Sequence, residues 1–201
     1  MYDYLENFQQ ALDDFMMALR LEPTQVGFEE KITETFVYVR KMCDAIVKKG
    51  YVKNKRLQNE LASFRFARDD KLMMKLMNYQ RVQMNELTEG ATNTGKIFFC
   101  KILAPVCAGS YLRQSYIALS QNGEVFGLTV YKLGQQLDLI RPFDELGILD
   151  PYLMNIQLQY DQAMFQYRSV RVTDPMTLVI NGKALPRSNI ATVWLDTTVT
   201  S

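Results

Sequence analysis

FRFARDDKLMMKLMNYQRVQM, residues Phe64 to Met84, sets Arg65, Arg68, Lys71, Lys75 and Arg81 among Phe66, Met73, Met74, Met77 and Met84. It sits in a longer stretch, Val52 to Glu89, that contains neither proline nor glycine. Read as one helix, this stretch is a rod of roughly 55 Å at the usual rise per residue. That is longer than a compact domain of 201 residues requires. At 100° per residue, Lys53, Arg68, Lys71 and Lys75 share one edge, and Phe66, Met73, Met77 and Met84 gather on the other. The spacing predicts a shaft with a basic side and an apolar, methionine-rich side.

Charge along the chain follows the same division. Residues 1–47 hold nine acids and four bases, a net of −5, whereas residues 48–81 hold ten bases and three acids, a net of +7. The remainder is balanced. Such a local excess points to a polyanion contact, with nucleic acid first and an acidic protein or membrane surface behind it. A line of cations on a rigid helix can meet successive phosphates, and a methionine stripe suits a surface that accepts a partner helix. The plainer readings are a solvated helix face and a core stripe.

Outside the shaft, Leu5, Phe8, Leu12, Phe15, Met16 and Leu19 recur at helical spacing and stop before Pro23. A second amphipathic helix is predicted from about Phe28 to Lys49, closed by Gly50. Beyond Gly95 the texture changes. Ile97 to Ala104 is apolar and fits a buried helix or strand, with Pro105 after it. Asn122-Gly123 and Asn181-Gly182 are hairpin signals. Asn155 to Val172 alternates in part, and Ile190 to Leu195 reads as a closing strand. The fold class expected is therefore α+β: a helical region over residues 1–90 carrying the long shaft, and a small mixed head with an antiparallel sheet over residues 91–201.

Chemistry is bounded mainly by exclusion. The chain has no histidine, which removes imidazole from any triad or metal site, and no cofactor is expected. Cys43, Cys100 and Cys107 form no C-x-x-C pair, so a disulfide framework and a zinc knuckle are both disfavoured, and a reducing compartment fits. The one apolar run, Ile97 to Ala108, is too short to span a bilayer, so membrane insertion is not expected. GATNTGKI, Gly90 to Ile97, matches a phosphate-binding loop until Ile97 takes the place of the magnesium-binding hydroxyl. It reads better as a joint between helix and head, and no enzymatic activity is expected.

Phe66-x-Arg68-Asp69, then Leu72, Lys75-Leu76 and Met84, resembles a stretch of the coronavirus replicase subunit called non-structural protein eight, in a nidovirus or torovirus-like form. That resemblance implies a viral non-catalytic processivity cofactor of an RNA-dependent RNA polymerase, working in host-cytoplasm replication complexes. Its implied partners are an RNA duplex held by the backbone, the viral polymerase, and a small helical cofactor similar to non-structural protein seven. Arg68 and Lys75 would be shaft positions. By charge, Lys48, Lys49, Lys53, Lys55, Arg56, Arg65 and Lys71 join them on the RNA side, and Phe66, Met73, Leu76, Met77, Met84 and Leu87 face the partner. The alternative is a virion or phage connector that assembles through its long helix.

Overall fold

The computed structural model describes residues 6–65, 76–110, 113–134 and 139–191. The helices α1 (Phe8–Leu21), α2 (Phe28–Val47) and α3 (Asn54–Ala62) precede nine strands. In chain order these are β1 (Gln80–Val82), β2 (Lys96–Ser110), β3 (Arg113–Ser120), β4 (Val125–Tyr131), β5 (Glu145–Leu149), β6 (Tyr152–Tyr160), β7 (Ala163–Val172), β8 (Leu178–Ile180) and β9 (Lys183–Ala184).

The described residues form mostly a β-sheet domain with three helices of 9 to 20 residues, and this corrects the expected shaft and head. The third helix ends at Ala62. Gln80–Val82 is extended and runs parallel to β2, and Met84–Glu86 is a single 3-10 turn. The reason lies in the spacing of the apolar residues. Val82 and Met84 are two apart, the strand period, and they sit with Leu87 in the sheet's core. Burial against the sheet overrides the helix preference of a stretch that merely lacks breakers.

The strand order is β6-β7-β4-β3-β2-β5-β8-β9, with β1 beside β2. All neighbours are antiparallel except β4 with β7 and β1 with β2. Only Asp150 and Pro151 separate β5, which pairs with β2, from β6, which pairs with β7. The two halves of this kinked strand therefore join the ends of the path β2-β3-β4-β7, closing a five-stranded Greek-key barrel. The Asp150 N–H donates to the Lys96 carbonyl at 2.9 Å, stitching the kink to β2.

Alternation sets the two faces. Phe98, Cys100, Ile102, Tyr116, Ala118, Phe126, Leu128, Val130, Leu146 and Ile148 point into the barrel with Val170 and Val172. Ile117, Leu119, Ile156, Leu158 and Tyr167 point outward, where they meet Phe8 and Leu12 of α1 and Val39 and Met42 of α2. Apolar side chains at helical spacing thus cover a sheet face that is itself apolar. Each large side chain fully buried there, such as Phe8 or Met42, adds roughly 1.5–3 kcal/mol. Gly127 permits the close approach, since a Cβ there would lie 2.9 Å from Met42 Cε.

Both Asn-Gly signals mark hairpins. Asn181 and Gly182 take positive φ angles of 49° and 78° between β8 and β9, as a type I′ turn needs. Pro105 does not end its strand: it lies inside β2 beside a register shift, beyond the last residue that pairs with β5. Ile190 bridges Leu133, the Ala191 N–H donates to the Lys132 carbonyl at 2.8 Å, and residues 192–195 of the expected closing strand fall outside the described residues. No helix among the described residues is long and apolar enough to cross a membrane.

Candidate functional site

Three polar constellations stand out. Under the helices, the outer face of β3 and β4 carries a buried polar cluster. Thr129 Oγ1 donates to Glu6 Oε1 at 2.6 Å, and the Tyr38 and Ser115 hydroxyls are bonded at 2.8 Å. The Arg113 guanidinium lies 4.3 Å from the centre of the Tyr38 ring and 5.8 Å from that of Phe8. Burial, with Glu6 behind it, pushes the Tyr38 hydroxyl up to about 12. Tyr131 and Tyr167 are pushed up for the same first reason, so all three stay neutral donors at physiological pH. The helices seal this face.

The second constellation sits under the end of α3. Lys101, buried on β2, donates to the Glu60 carbonyl at 2.9 Å, to Ser63 Oγ at 2.6 Å and to Glu60 Oε2 at 3.3 Å. Its three protons are thereby spent on fixing α3 to the barrel. Beside it the Glu145 carboxylate accepts from the Arg65 N–H at 2.8 Å, and the Glu145 N–H donates to Asn181 Oδ1. Together these groups line a polar hollow of about 470 Å³ whose named atoms serve the fold.

The third is charge at the surface. Arg40, Lys41, Lys48 and Lys49 on or after α2, and Lys53, Lys55 and Arg56 at the start of α3, are all exposed, with Asp44 the one acid between residues 40 and 56. Val47 and Tyr51, 79% and 68% exposed, stand among them, and Lys48 Nζ lies 5.6 Å from the Tyr51 ring centre. Arg56 stacks on Phe143 at 3.8 Å. Chain order brings these cations together because α2 ends and α3 begins within a few residues.

The remaining sequence-predicted residues scatter. Arg65 is exposed and holds Glu145 through its main chain. Leu76 packs on Ile97 and Phe99, Met77 is 78% exposed, and Met84 and Leu87 lie in the barrel core. Phe66, Arg68, Lys71, Met73 and Lys75 lie outside the described residues. The loop that mimics a phosphate-binding motif is tied into the fold. Asn93 accepts from the Thr88 N–H and donates to the Thr88, Ala91 and Pro151 carbonyls, while the Gly95 N–H donates to Asp150 and Lys96 Nζ to the Glu86 carbonyl. Its dipoles hold β2 against β6. The sealed polar cluster was missed in the sequence because Glu6, Tyr38 and Arg113 are far apart in the chain, with no spacing to link them.

The family described as "Tetratricopeptide repeat protein 5 OB fold domain" matches residues 78–194, more than half of the chain. The chain is similar to tetratricopeptide repeat protein 5 of Bos taurus, 24% identical over 91% of this chain and 43% of that protein. It is 23% identical to tetratricopeptide repeat protein 5 of Homo sapiens over 96% of this chain and 46% of that protein. The chain thus spans about half the length of the curated relatives it matches. These findings overturn the resemblance to non-structural protein eight. With it go the viral polymerase, the small helical cofactor, the RNA duplex, the replication-complex location and the virion or phage connector. The resemblance rested on one short segment read as a shaft, and the described part of that segment is not one.

Proposed function

This chain belongs to the tetratricopeptide repeat protein 5 OB fold domain family, and from that premise we propose that it is a non-catalytic docking module whose basic α2–α3 corner receives an acidic segment of a partner protein. OB barrels commonly take oligonucleotides or oligosaccharides across the outer face of their second and third strands. Here β3 and β4 hold those places in the barrel, and α1 and α2 cover their outer face. A ligand therefore has to use another surface.

The observation that carries this reading is the run of exposed cations from Arg40 to Arg56 around the exposed Val47 and Tyr51. Like charges gathered at one corner raise the local potential and attract an anionic partner, with strength that falls as salt rises. Apolar and aromatic side chains among the cations favour an acidic peptide that also carries apolar residues over a phosphate backbone alone.

The test is fluorescence anisotropy of a labelled peptide of alternating Glu and Leu, across a salt series, with an RNA duplex as the comparison. The expected result is salt-sensitive peptide binding, weakened about tenfold or more in a Lys48→Glu, Lys49→Glu, Lys53→Glu variant. Absence of peptide binding at low salt, or tighter binding of the duplex, would overturn the reading.

A further inference from the structure

The strand β6 ends the sheet path: β7 pairs with one side along its length, and on the other side, among the described residues, Tyr152 and Leu153 alone are bridged, to Thr92 and Glu89. Its register gives the direction of every main-chain group. The β6–β7 hairpin turns through Asp161 and Gln162, at φ 47° and 64°, so Tyr160 and Ala163 close the ladder as a hydrogen-bonded pair. Leu158, Ile156 and Met154 then also bond to β7, and the main-chain groups of Leu153, Asn155, Gln157 and Gln159 face away from it. At one end of this outward row the Leu153 carbonyl accepts from the Gly90 N–H at 2.8 Å. At the other, the Gln159 N–H donates to the side-chain amide of Gln9 at 2.8 Å. Between them the N–H and C=O groups of Asn155 and Gln157 have no hydrogen-bond partner among the described residues.

A cleft of about 500 Å³ opens on this run, with Asn7 and Gln9 at the start of α1 on one side and Met154, Asn155 and Gln157 on the other. We propose that this cleft binds an extended peptide from another protein, which adds as a strand to the β6 edge between Leu153 and Gln159. Two features argue for a single peptide strand as the occupant. First, both ends of the open run are already satisfied by amide groups, one from the main chain and one from a Gln side chain, so the gap between them has the chemistry of a missing strand. Second, the start of α1 walls the cleft, so a lone strand enters where the whole sheet edge of a second copy would meet Asn7 and Gln9. The site uses none of the cations at the α2–α3 corner and stands or falls apart from that reading.

A phage-displayed library of random eight-residue peptides, selected on the intact chain, supplies the probe, and the enriched peptide is resynthesised. On its addition, amide hydrogen exchange at Asn155 and Gln157 slows. Gln157→Pro, which removes an outward N–H that β7 does not use, weakens binding about tenfold or more, whereas Gln157→Ala, which keeps the main-chain groups, leaves it within about twofold. The Lys48→Glu, Lys49→Glu, Lys53→Glu variant binds the same peptide unchanged. Exchange at Met154 and Leu158, whose N–H groups bond to β7, matched between the Gln157→Pro protein without peptide and the parent chain, shows that the barrel is intact. Failure to enrich any peptide, slowed exchange that follows protein concentration without peptide, or equal binding by the Pro variant would each overturn the proposal.

Discussion

Lys101 shows how much one buried charge can organise. Its ammonium reaches back 41 residues to Glu60 and 38 to Ser63, and joins the last turn of α3 to β2. Lys101→Met keeps an unbranched side chain one atom shorter and removes the charge and all three donors. The Glu60 carboxylate then keeps only the Arg56 guanidinium at 3.8 Å, the Ser63 hydroxyl loses its donor, and the Glu60 carbonyl keeps only the Ser63 hydroxyl and N–H. The expected cost is about 3 kcal/mol of unfolding free energy in urea denaturation. A loss below about 0.5 kcal/mol would show that these groups find water instead. Adding Glu60→Gln should recover part of the loss, because the carboxylate that has lost its ammonium partner is then gone.

At the scale of elements, the hairpins and two of the helices were legible because their signals are local. Asn181-Gly182 needs only its own backbone, and α1 and α2 follow from apolar residues at helical spacing. The stretch after Ala62 was not legible, because what decides it is distant: Val82, Met84 and Leu87 owe their places to β2 and β5. A count of helix formers could not see that partner. The methionines separate the two readings. Met84, 0% exposed in the barrel core, is expected to cost about 2–5 kcal/mol as Met84→Ala, and Met77, exposed, less than about 0.5 kcal/mol as Met77→Ala. A shaft with both residues on one solvent-facing edge requires similar, small losses, so equal values by chemical denaturation would restore the helix and sink the barrel assignment. Of the candidate site, the basic corner was legible as charge along the chain, while the sealed face and the β6 cleft arise only when β3, β4, β6 and α1 meet.

Across the whole molecule, the barrel interior and the layer between sheet and helices bury groups that ionise only at high pH. Burial pushes the Cys100 thiol far above its ordinary value of 9.0, and the hydroxyls of Tyr116, Tyr131 and Tyr167 far above 10.0. Tyr38 is raised to about 12, and the half-buried Cys43 to about 11. In each case the folded chain holds its proton more tightly than the unfolded one. Below pH 9 both states are protonated and these groups impose no pH dependence. Above pH 9 the unfolded chain releases thiol protons that the folded chain keeps, so stability falls as pH rises, by about 1.4 kcal/mol per pH unit for a fully buried group. Above pH 10 the tyrosines steepen the fall. Urea denaturation at pH 8, 9, 10 and 11 should therefore show a plateau and then a decline that begins with the thiols. Cys100→Ala, which leaves only Cys43 among the described thiols to retain its proton, should make the segment between pH 9 and 10 shallower, and Cys43→Ala with Cys100→Ala should flatten it and leave the steeper one above it. An unchanged slope between pH 9 and 10 in Cys100→Ala would mean that Cys100 ionises in the folded barrel, which a side chain sealed between β3 and β5 cannot do without opening the sheet.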